Sequence, residues 1–438
     1  MTPDEMRAVD AAAPEGLDVL VERAGAAVAR VALEELGGAY GRRVVVVCGK
    51  GNNGADGRVA ARRLRARGVR VVELDAASAS GSVLPACDVV IDAAYGTGFH
   101  GTYHAPDPLG AVIVAVDVPS GDVRADVTVT FAALKPALLF SDAAGAVLVE
   151  DIGLDVSSAR IHVVEPADVL GRLPRRPRNA HKYAVGVAVV AGSPGMTGAA
   201  WLVSLAALRC GSGYCRLAIP GADVAAMVPS EAVAVPLAAE GWSSAALASC
   251  DRMRALAIGP GLGRAEATVG ETKRVLAEAP IPVVVDADGL YALGSLDEAA
   301  EVLRSRVAPT LLTPHDGEFA RLAGEAPPTG PERIETVREL AARLGATVLL
   351  KGPVTIVAAP DGEVLVSRHG PPSLATAGTG DVLTGICAAF LATGLSPLEA
   401  GGLGATAHAT AAHAGHRVGL VAGDLPELVA AFLSGHGG

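Results

Sequence analysis

Two strings in this chain combine glycines, a carboxylate and the start of a helix, which suits them to holding an anion and moving a proton. Residues 377–385 read AGTGDVLTG ahead of a long apolar run. Gly378 and Gly380 free the backbone, the helix N-terminus offers unpaired N–H groups, and Asp381 stands at its lip. A phosphate held there would face Asp381, which could accept the proton of an attacking hydroxyl; the plainer role is a helix cap. Residues 48–57, CGKGNNGADG, follow an apolar run and open a second helix. Its glycines allow close approach to a ligand and its asparagines add amide donors and acceptors; a tight turn needing Asn and Gly is the alternative. The string is read as a ligand loop of its own kind, not as the usual dinucleotide fingerprint.

Oxygen-bearing residues recur where later apolar runs end. Residues 89–99, VVIDAAYGTGF, place Asp92 before a glycine-rich loop, and residues 115–122, AVDVPSGD, supply Asp117 and Ser120. Ligands of open parallel sheets bind beyond the carboxyl ends of strands, so Asn53, Asp92, Asp117 and Ser120 are expected to meet in one crevice. Carbonyl, carboxylate and hydroxyl oxygens without thiol or imidazole suit a hard cation.

In order and spacing, GNNGADG, DAAYGTGF and VDVPSG resemble the three motifs of the YjeF N-terminal family, the NAD(P)H-hydrate epimerases, over most of residues 1–170. The resemblance implies hydrate contacts at Asn52, Asn53, Gly54, Ala55 and Asp56, at Gly96, Thr97, Gly98, Phe99, His100, Gly101 and Thr102, and at Asp117. It implies a potassium ion on Asn53, Asp92 and Ser120. Inverting the hydrated ring carbon requires the C–O bond or the ring to open and re-form, with proton transfer near the hydroxyl. Asp117 is the carboxylate placed to act as general acid or base; a helix N-cap is its plainer role. Two departures carry expectations. Ala55 replaces a family glycine, which strains the loop if φ there is positive. The stretches from His100 to Leu109 and after Gly121 are short enough to remove a helix and part of a hairpin.

The second half repeats the strand-then-loop pattern in VVAGSPGMTGAA (189–200), IGPGLG (258–263), LLTPHDGEF (311–319) and LLKGPVTIV (349–357). Lys351, Gly352, Pro353, Val354 and Thr355 are read as a nucleotide loop, with Lys351 near phosphates. His315 and Glu318 also follow a strand. Together with GTGDVL and AGDLPELV, these strings resemble the YjeF C-terminal, carbohydrate-kinase-like family of ADP- or ATP-dependent NAD(P)H-hydrate dehydratases, from about residue 180 onward. The resemblance implies a ribokinase-like fold, hydrate contacts at Ala199, Gly261, His315 and Asp381, and nucleotide contacts at Lys351 to Thr355 and Gly380. Magnesium is expected with ADP, and AMP and phosphate as products. The competing expectation is a small-molecule kinase, for example of a hydroxymethylpyrimidine, with a non-catalytic interaction module in front; only the product separates the two.

Elements that alternate strand, loop and helix must position these residues. The fold class is therefore α/β; the resemblances imply an N-terminal Rossmann-like three-layer domain, residues 1–172, and a C-terminal ribokinase-like three-layer domain, residues 173–438. The boundary rests on residues 171–181, GRLPRRPRNAH, where two prolines and four arginines break the apolar pattern. Helices are expected from Leu17 to Leu36, from near Gly57, from about Ala199 to Cys210, and as one long segment from Asp381 to Ala414.

Bulk composition limits the alternatives. A chain of 438 residues fits two domains, and 50% hydrophobic content fits folded ones. A net charge of −11 argues against nucleic acid as a partner, though not against small phosphorylated ligands. The expected partners are NADHX or NADPHX, ADP, and further copies of the chain in a homo-oligomer. Six irregularly spaced cysteines read as reduced thiols; no signal peptide and no membrane span is expected, so the location is expected to be cytoplasmic. His408, His413 and His416 share one helical stretch; His413 and His416 could face one way but have no evident third ligand, and the histidines are read as core or solvated residues. The arginines between Arg58 and Arg67 are read as a solvated helix face, and Trp201 and Trp242 as packing residues.

Overall fold

The computed structural model describes residues 1–99, 101–173, 178–223, 229, 231–368 and 370–435. The chain divides into two compact units, Met1–Ala159 and Arg160–Gly438.

The first unit contains β1 (Arg43–Cys48), β2 (Arg70–Asp75), β3 (Val89–Ala93), β4 (Val112–Val116), β5 (Val127–Phe131) and β6 (Ala146–Glu150). They form one sheet, ordered β2-β1-β3-β4-β5-β6, with every pair parallel. Along β1, Val44, Val46 and Cys48 join one core cluster and Val45 and Val47 the other. An unbroken valine run buried on both faces is what a central parallel strand requires. The helices are α1 (Pro3–Ala12), α2 (Leu17–Leu36), α3 (Asn52–Ala66), α4 (Ala76–Ala79) and α5 (Pro136–Leu139). Leu20, Val28 and Val31 of α2 and Ala60 and Leu64 of α3 cover the Val44 face.

Helix α3 starts at Asn52 rather than near Gly57, because Gly51 takes the extended N-cap conformation. Ala55 therefore lies in the first helical turn, its N–H donating to Gly51 O at 3.1 Å, and the expected strain does not arise. The reading of this loop as unlike a dinucleotide fingerprint is also corrected. Gly49, Gly51 and Gly54 stand at G-x-G-x-x-G spacing between a strand and a helix. Residues 94–99 and 101–111, between β3 and β4, contain no helix.

Among its described residues the second unit holds ten strands in one sheet: β7 (Ile161–Val163), β8 (Gly186–Val190), β9 (Tyr214–Pro220), β10 (Val233–Leu237), β11 (Ala255–Ile258), β12 (Val283–Val285), β13 (Thr310–Leu312), β14 (Thr347–Leu350), β15 (Thr355–Ala358) and β16 (Val364–Ser367). The order is β10-β9-β8-β11-β12-β13-β14-β15-β16-β7, and β15 alone runs antiparallel to its neighbours. Its helices are α6 (Pro166–Arg172), α7 (Thr197–Arg209), α8 (Ser243–Ser249), α9 (Glu266–Glu278), α10 (Asp288–Leu293), α11 (Leu296–Ser305), α12 (Asp316–Ala323), α13 (Arg333–Leu344), α14 (Thr379–Ala392), α15 (Pro397–His413) and α16 (Leu425–Leu433). Helices α7, α14, α15 and α16 bury their apolar faces against Val187, Val189, Leu217 and Ala257. Ala188, Val190, Leu256 and Ile258, pointing the other way, are equally buried, and α13 packs on β14 and β15. The three-layer architecture in both halves follows from this two-sided burial.

Two expectations change here. The single helical segment from Asp381 to Ala414 is two helices. Gly394, at φ 98°, lets the chain turn after α14, and Ser396, Pro397 and Glu399 form a capping box with proline in the first turn of α15. The boundary falls at 159/160 rather than 172/173, since β7 pairs with β16 and α6 packs on α15. Arg160 reinforces this, its Nε donating to Glu363 at 3.0 Å. Residues 174–177 of the expected linker lie outside the described residues. Among the described residues all six cysteines are free, and no helix is long and apolar enough to cross a membrane.

Candidate active sites

In the first unit the strand order reverses direction between β1 and β3, so the loops that follow these strands part and leave a crevice at the sheet's carboxyl edge. The two loops touch at their roots: Gly49 N–H donates to Ala93 O at 2.9 Å, and a Cβ on Gly49 would stand 1.8 Å from Ala94 O. Only glycine fits there. Asn53 ties the loops further, its Nδ2 donating to Val116 O at 2.8 Å and Tyr95 O at 3.2 Å. Beneath them Asp92 is buried, accepting from Ser120 N at 2.8 Å and Ala94 N at 3.3 Å. Ser120 Oγ accepts from Tyr95 N at 2.9 Å. Burial pushes the Asp92 carboxyl up, opposed by these hydrogen bonds, and no cationic side chain pairs with it among the described residues. Buried carboxylates ordinarily sit beside a cation, so this oxygen cluster is chemically suited to one.

Above it lies a cavity of about 700 Å³. Asn52, Asn53, Asp56, Gly96, Thr97, Gly98, Phe99 and Asp117 line it. Gly54, Ala55, Gly101 and Thr102 do not, and His100 lies outside the described residues. Asp117 closes β4 with φ at 66°, left-handed backbone that a non-glycine residue rarely adopts. No helix begins there, so the capping role falls away. Its Oδ1 instead takes Lys135 Nζ at 2.7 Å and Thr130 Oγ1 at 3.1 Å, and Lys135 also donates to Phe131 O at 2.8 Å. Asp10 and Asp56 complete the group. Burial, then Asp117, pushes the Asp56 carboxyl up to about 8, so it carries a proton at neutral pH; burial likewise raises Asp10. A cation, a carboxylate and a protonated carboxyl around one cavity can take and return a proton.

In the second unit the order reverses between β8 and β11, and again the loops meet: Gly192 N–H donates to Pro260 O at 2.7 Å. A Cβ on Gly261 would stand 3.1 Å from Met196 O and 3.2 Å from Ala199 Cβ, so Ala199 and Gly261 lie together. Asp381 lies in the first turn of α14 after Gly378, whose φ is 89°, and no side chain caps that helix. Beside it, Lys351 Nζ donates to Asp286 Oδ1 at 2.7 Å and approaches Glu318 at 3.7 Å. Thr384 Oγ1 donates to Asp286 Oδ2 at 2.7 Å, locking β12 to α14. A Cβ on Gly380 would stand 3.5 Å from Lys351 Nζ, which places the nucleotide-loop lysine at the mouth of α14. Burial pulls the Lys351 ammonium down, but Asp286 and Glu318 outweigh it and the net shift is upward. Burial, then Asp286, pushes the Asp381 carboxyl up to about 7, against the pull of Lys351. An acid poised near neutrality at a helix N-terminus is placed to exchange a proton with a bound alcohol. His315 spends Nδ1 on capping α12, accepting from Gly317 N at 3.0 Å, and its ring is largely exposed. Thr355 Oγ1 donates to Gly352 O at 3.0 Å, closing the turn through Gly352, Pro353 and Val354.

Lys135, Asp286 and Thr384 are the residues that sequence reasoning missed. Asp286 directly follows the Val283–Val285 run, the same signal that marked Asp92 and Asp117. Lys135 is a lone cation inside the apolar stretch FAALKPALLF, a pattern that marks a buried lysine. The discounted residues divide. Arg62 and Arg63 pair with Glu22, and Arg65 with Glu73, on the solvent side. Arg58 is exposed as well, and donates to Gly49 O at 2.8 Å. Trp242 is fully buried, whereas Trp201 is 37% exposed and is not a core residue. His408 is buried, and among the described residues its Nε2 has no hydrogen-bond partner.

The geometry has counterparts in known proteins. Residues 187–431 match the family model of NAD(P)H-hydrate dehydratase, and residues 17–79 that of the YjeF-related protein N-terminus. The chain is 40% identical to the bifunctional NAD(P)H-hydrate repair enzyme of Mycobacterium tuberculosis, over 91% of this chain and 90% of that one. It is 35% identical to the enzyme of the same name from Moorella thermoacetica, over 93% and 90%. Among solved structures, the ADP/ATP-dependent NAD(P)H-hydrate dehydratase of Bacillus subtilis, co-crystallised with ATP and magnesium, covers 63% of this chain and 98% of its own, with TM-score 0.53 and 29% identity. A ribokinase-like superfamily protein from Enterococcus faecalis, at TM-score 0.55 and 21% identity over 64% of this chain and 98% of its own, shares the fold.

Proposed function

We propose that this chain, which belongs to the bifunctional NAD(P)H-hydrate repair enzymes, runs its epimerase in the Asp117 cavity and its dehydratase where Asp381 meets Lys351. It is an enzyme of two activities, interconverting the R and S hydrates of NAD(P)H and dehydrating the S form. Relatives that match nearly the whole chain are named bifunctional NAD(P)H-hydrate repair enzymes, which speaks against the small-molecule kinase with a non-catalytic front module.

The observation that carries the dehydratase assignment is the joint placement of Asp381, Lys351 and Asp286 at the start of α14. Hydroxide is a poor leaving group. Asp381 takes the proton of the ring hydroxyl, the freed oxygen attacks the terminal phosphorus of ADP, and AMP departs. The ring nitrogen lone pair then expels phosphate from carbon, and loss of a proton from the neighbouring ring carbon restores the dihydropyridine. Gly378 and Gly380 offer backbone N–H groups to the phosphate, and Lys351 to Thr355 hold the nucleotide. Ala199, Gly261 and His315 line the hydrate subsite in this reading. Magnesium arriving with the nucleotide supplies neutralisation of phosphate charge. In the first unit Asp117 moves the proton of the ring hydroxyl as the C–O bond or the ring opens and re-forms, with Lys135 fixing its carboxylate and Asn52, Asp56 and the Gly96–Phe99 loop holding the hydrate. Asn53, Asp92 and Ser120 would hold potassium, whose charge supports the buried Asp92 and ties the two ligand loops together.

The test is a mixed R/S hydrate preparation incubated with ADP and followed by NADH absorbance. Conversion runs to completion when both sites work. A halt near the S fraction rejects the epimerase, and no NADH at all rejects the dehydratase. The pH profile supplies a second check. Asp381 must be ionised to act as a base, and its carboxyl is raised to about 7. Dehydratase kcat/KM therefore falls about tenfold per unit as pH drops below about 7 and is level above it. A profile flat across this range, measured on S-hydrate with saturating ADP, rejects Asp381 as the base.

A further inference from the structure

We infer that Asp75 sets the nucleotide preference of the first unit, gripping the adenosine ribose of the hydrate and turning away a 2′-phosphate, so that epimerisation favours NADHX over NADPHX. The inference rests on reading the first unit as the epimerase.

Asp75 is the last residue of β2 and pairs in register with Cys48, the last residue of β1. The loop that begins at Gly49 therefore rises between Asp75 on one side and β3 on the other. Asp75 and Asp117 line the same cavity, at β2 and β4. Two strands separated by β1 and β3 stand roughly 14 Å apart, at about 4.8 Å per spacing. That is room to lay a dinucleotide across the glycine loop. With the reacting ring at Asp117 and the pyrophosphate over the start of α3, the adenosine ribose falls at the end of β2. This is where dinucleotide folds with a G-x-G-x-x-G turn place an acid against the ribose hydroxyls, and where an arginine accommodates a 2′-phosphate instead. Here the acid is present, and Ala76, Ala77 and Ser78 follow it with no arginine among them. Asp75 Oδ1 accepts from Ala77 N at 3.0 Å, which fixes the carboxylate at the start of α4, and its side chain is otherwise exposed to the cavity mouth. A fixed carboxylate meeting a phosphate repels it. Among the described residues Arg7, Lys50 and Lys135 are the cations that line the cavity: Arg7 pairs with Asp4, Lys135 with Asp117, and Lys50 stands on the glycine loop itself, where the pyrophosphate would lie.

The experiment uses the full chain without ADP, so that the second unit is silent, and follows R-to-S conversion of NADHX and NADPHX separately by chromatography. The wild type shows kcat/KM about tenfold or more higher for NADHX, the size expected of a like-charge encounter. Asp75→Asn retains the cap but not the charge, and brings the ratio close to one, through a lower KM for NADPHX. Equal rates in the wild type, an unaltered ratio in Asp75→Asn, or a selective loss of NADPHX turnover in Lys50→Gln would each overturn the inference. If neither hydrate is epimerised, the epimerase reading itself fails, and NADPH titration by fluorescence decides the role of Asp75 separately. Tighter NADPH binding by Asp75→Asn than by the wild type sustains that role, and equal affinities overturn it.

Discussion

Replacing Asp381 with Asn lowers dehydratase kcat by about three orders of magnitude, within the range for a general base, while ADP still binds. The substitution keeps the size of the side chain and leaves α14 intact, because the N-cap is Gly378 and the first turn does not depend on the carboxylate. Lys351 keeps its partner Asp286 at 2.7 Å, and Thr384 still holds Asp286 to α14. The nucleotide loop thus stays in place, and what disappears is the acceptor for the hydroxyl proton. Two measurements separate chemistry from binding: NADH formation from purified S-hydrate, and titration of the variant with ADP. Turnover near the wild-type rate would remove Asp381 from the mechanism. Loss of ADP affinity together with turnover would recast it as a binding residue.

Asp117→Asn abolishes R-to-S conversion, with a loss of about 10²- to 10⁴-fold, and leaves dehydration of S-hydrate at its full rate. Asparagine is the informative substitution because residue 117 sits at φ 66°, a conformation Asn tolerates better than other non-glycine residues. Alanine would confound lost chemistry with backbone strain. The ammonium of Lys135 still donates to Phe131 O and stays within electrostatic reach of Asp10. With a mixed hydrate preparation and ADP, the variant consumes the S form and then halts. Unimpaired interconversion would show that the proton moves elsewhere, with Asp56 the next carboxyl in the cavity.

The parts of this protein that were legible in its sequence are those whose meaning is local. Glycine-rich strings after apolar runs mark strand ends, since a buried strand must give way to a turn that only small residues fit. Asn53, Asp92, Asp117 and Ser120 were found in this way, and so was Asp381. Lys135 and Asp286 were not, because their roles lie in partners distant along the chain: Asp286 meets Lys351 and Thr384, contributed by other elements of the sheet's carboxyl edge. Helix α3 begins earlier than its local sequence suggests, because asparagine and glycine weigh against a helix locally, whereas Gly51 as N-cap and the packing of Val59 and Leu64 decide its start. Gly394 and the Ser396-Pro397 pair signalled the break between α14 and α15, but the apolar pattern across them outweighed it. The domain boundary misled for a related reason. The Pro- and Arg-rich stretch is real in composition, yet the segment before it belongs to the second sheet.

That last feature bears on any attempt to part the two activities genetically. A dehydratase half begun at residue 173 would lose Ile161–Val163 and α6, baring the hydrogen-bonding rim of Val364–Ser367 to any extended chain that passes. Severed just ahead of Arg160, the same half keeps its own hem.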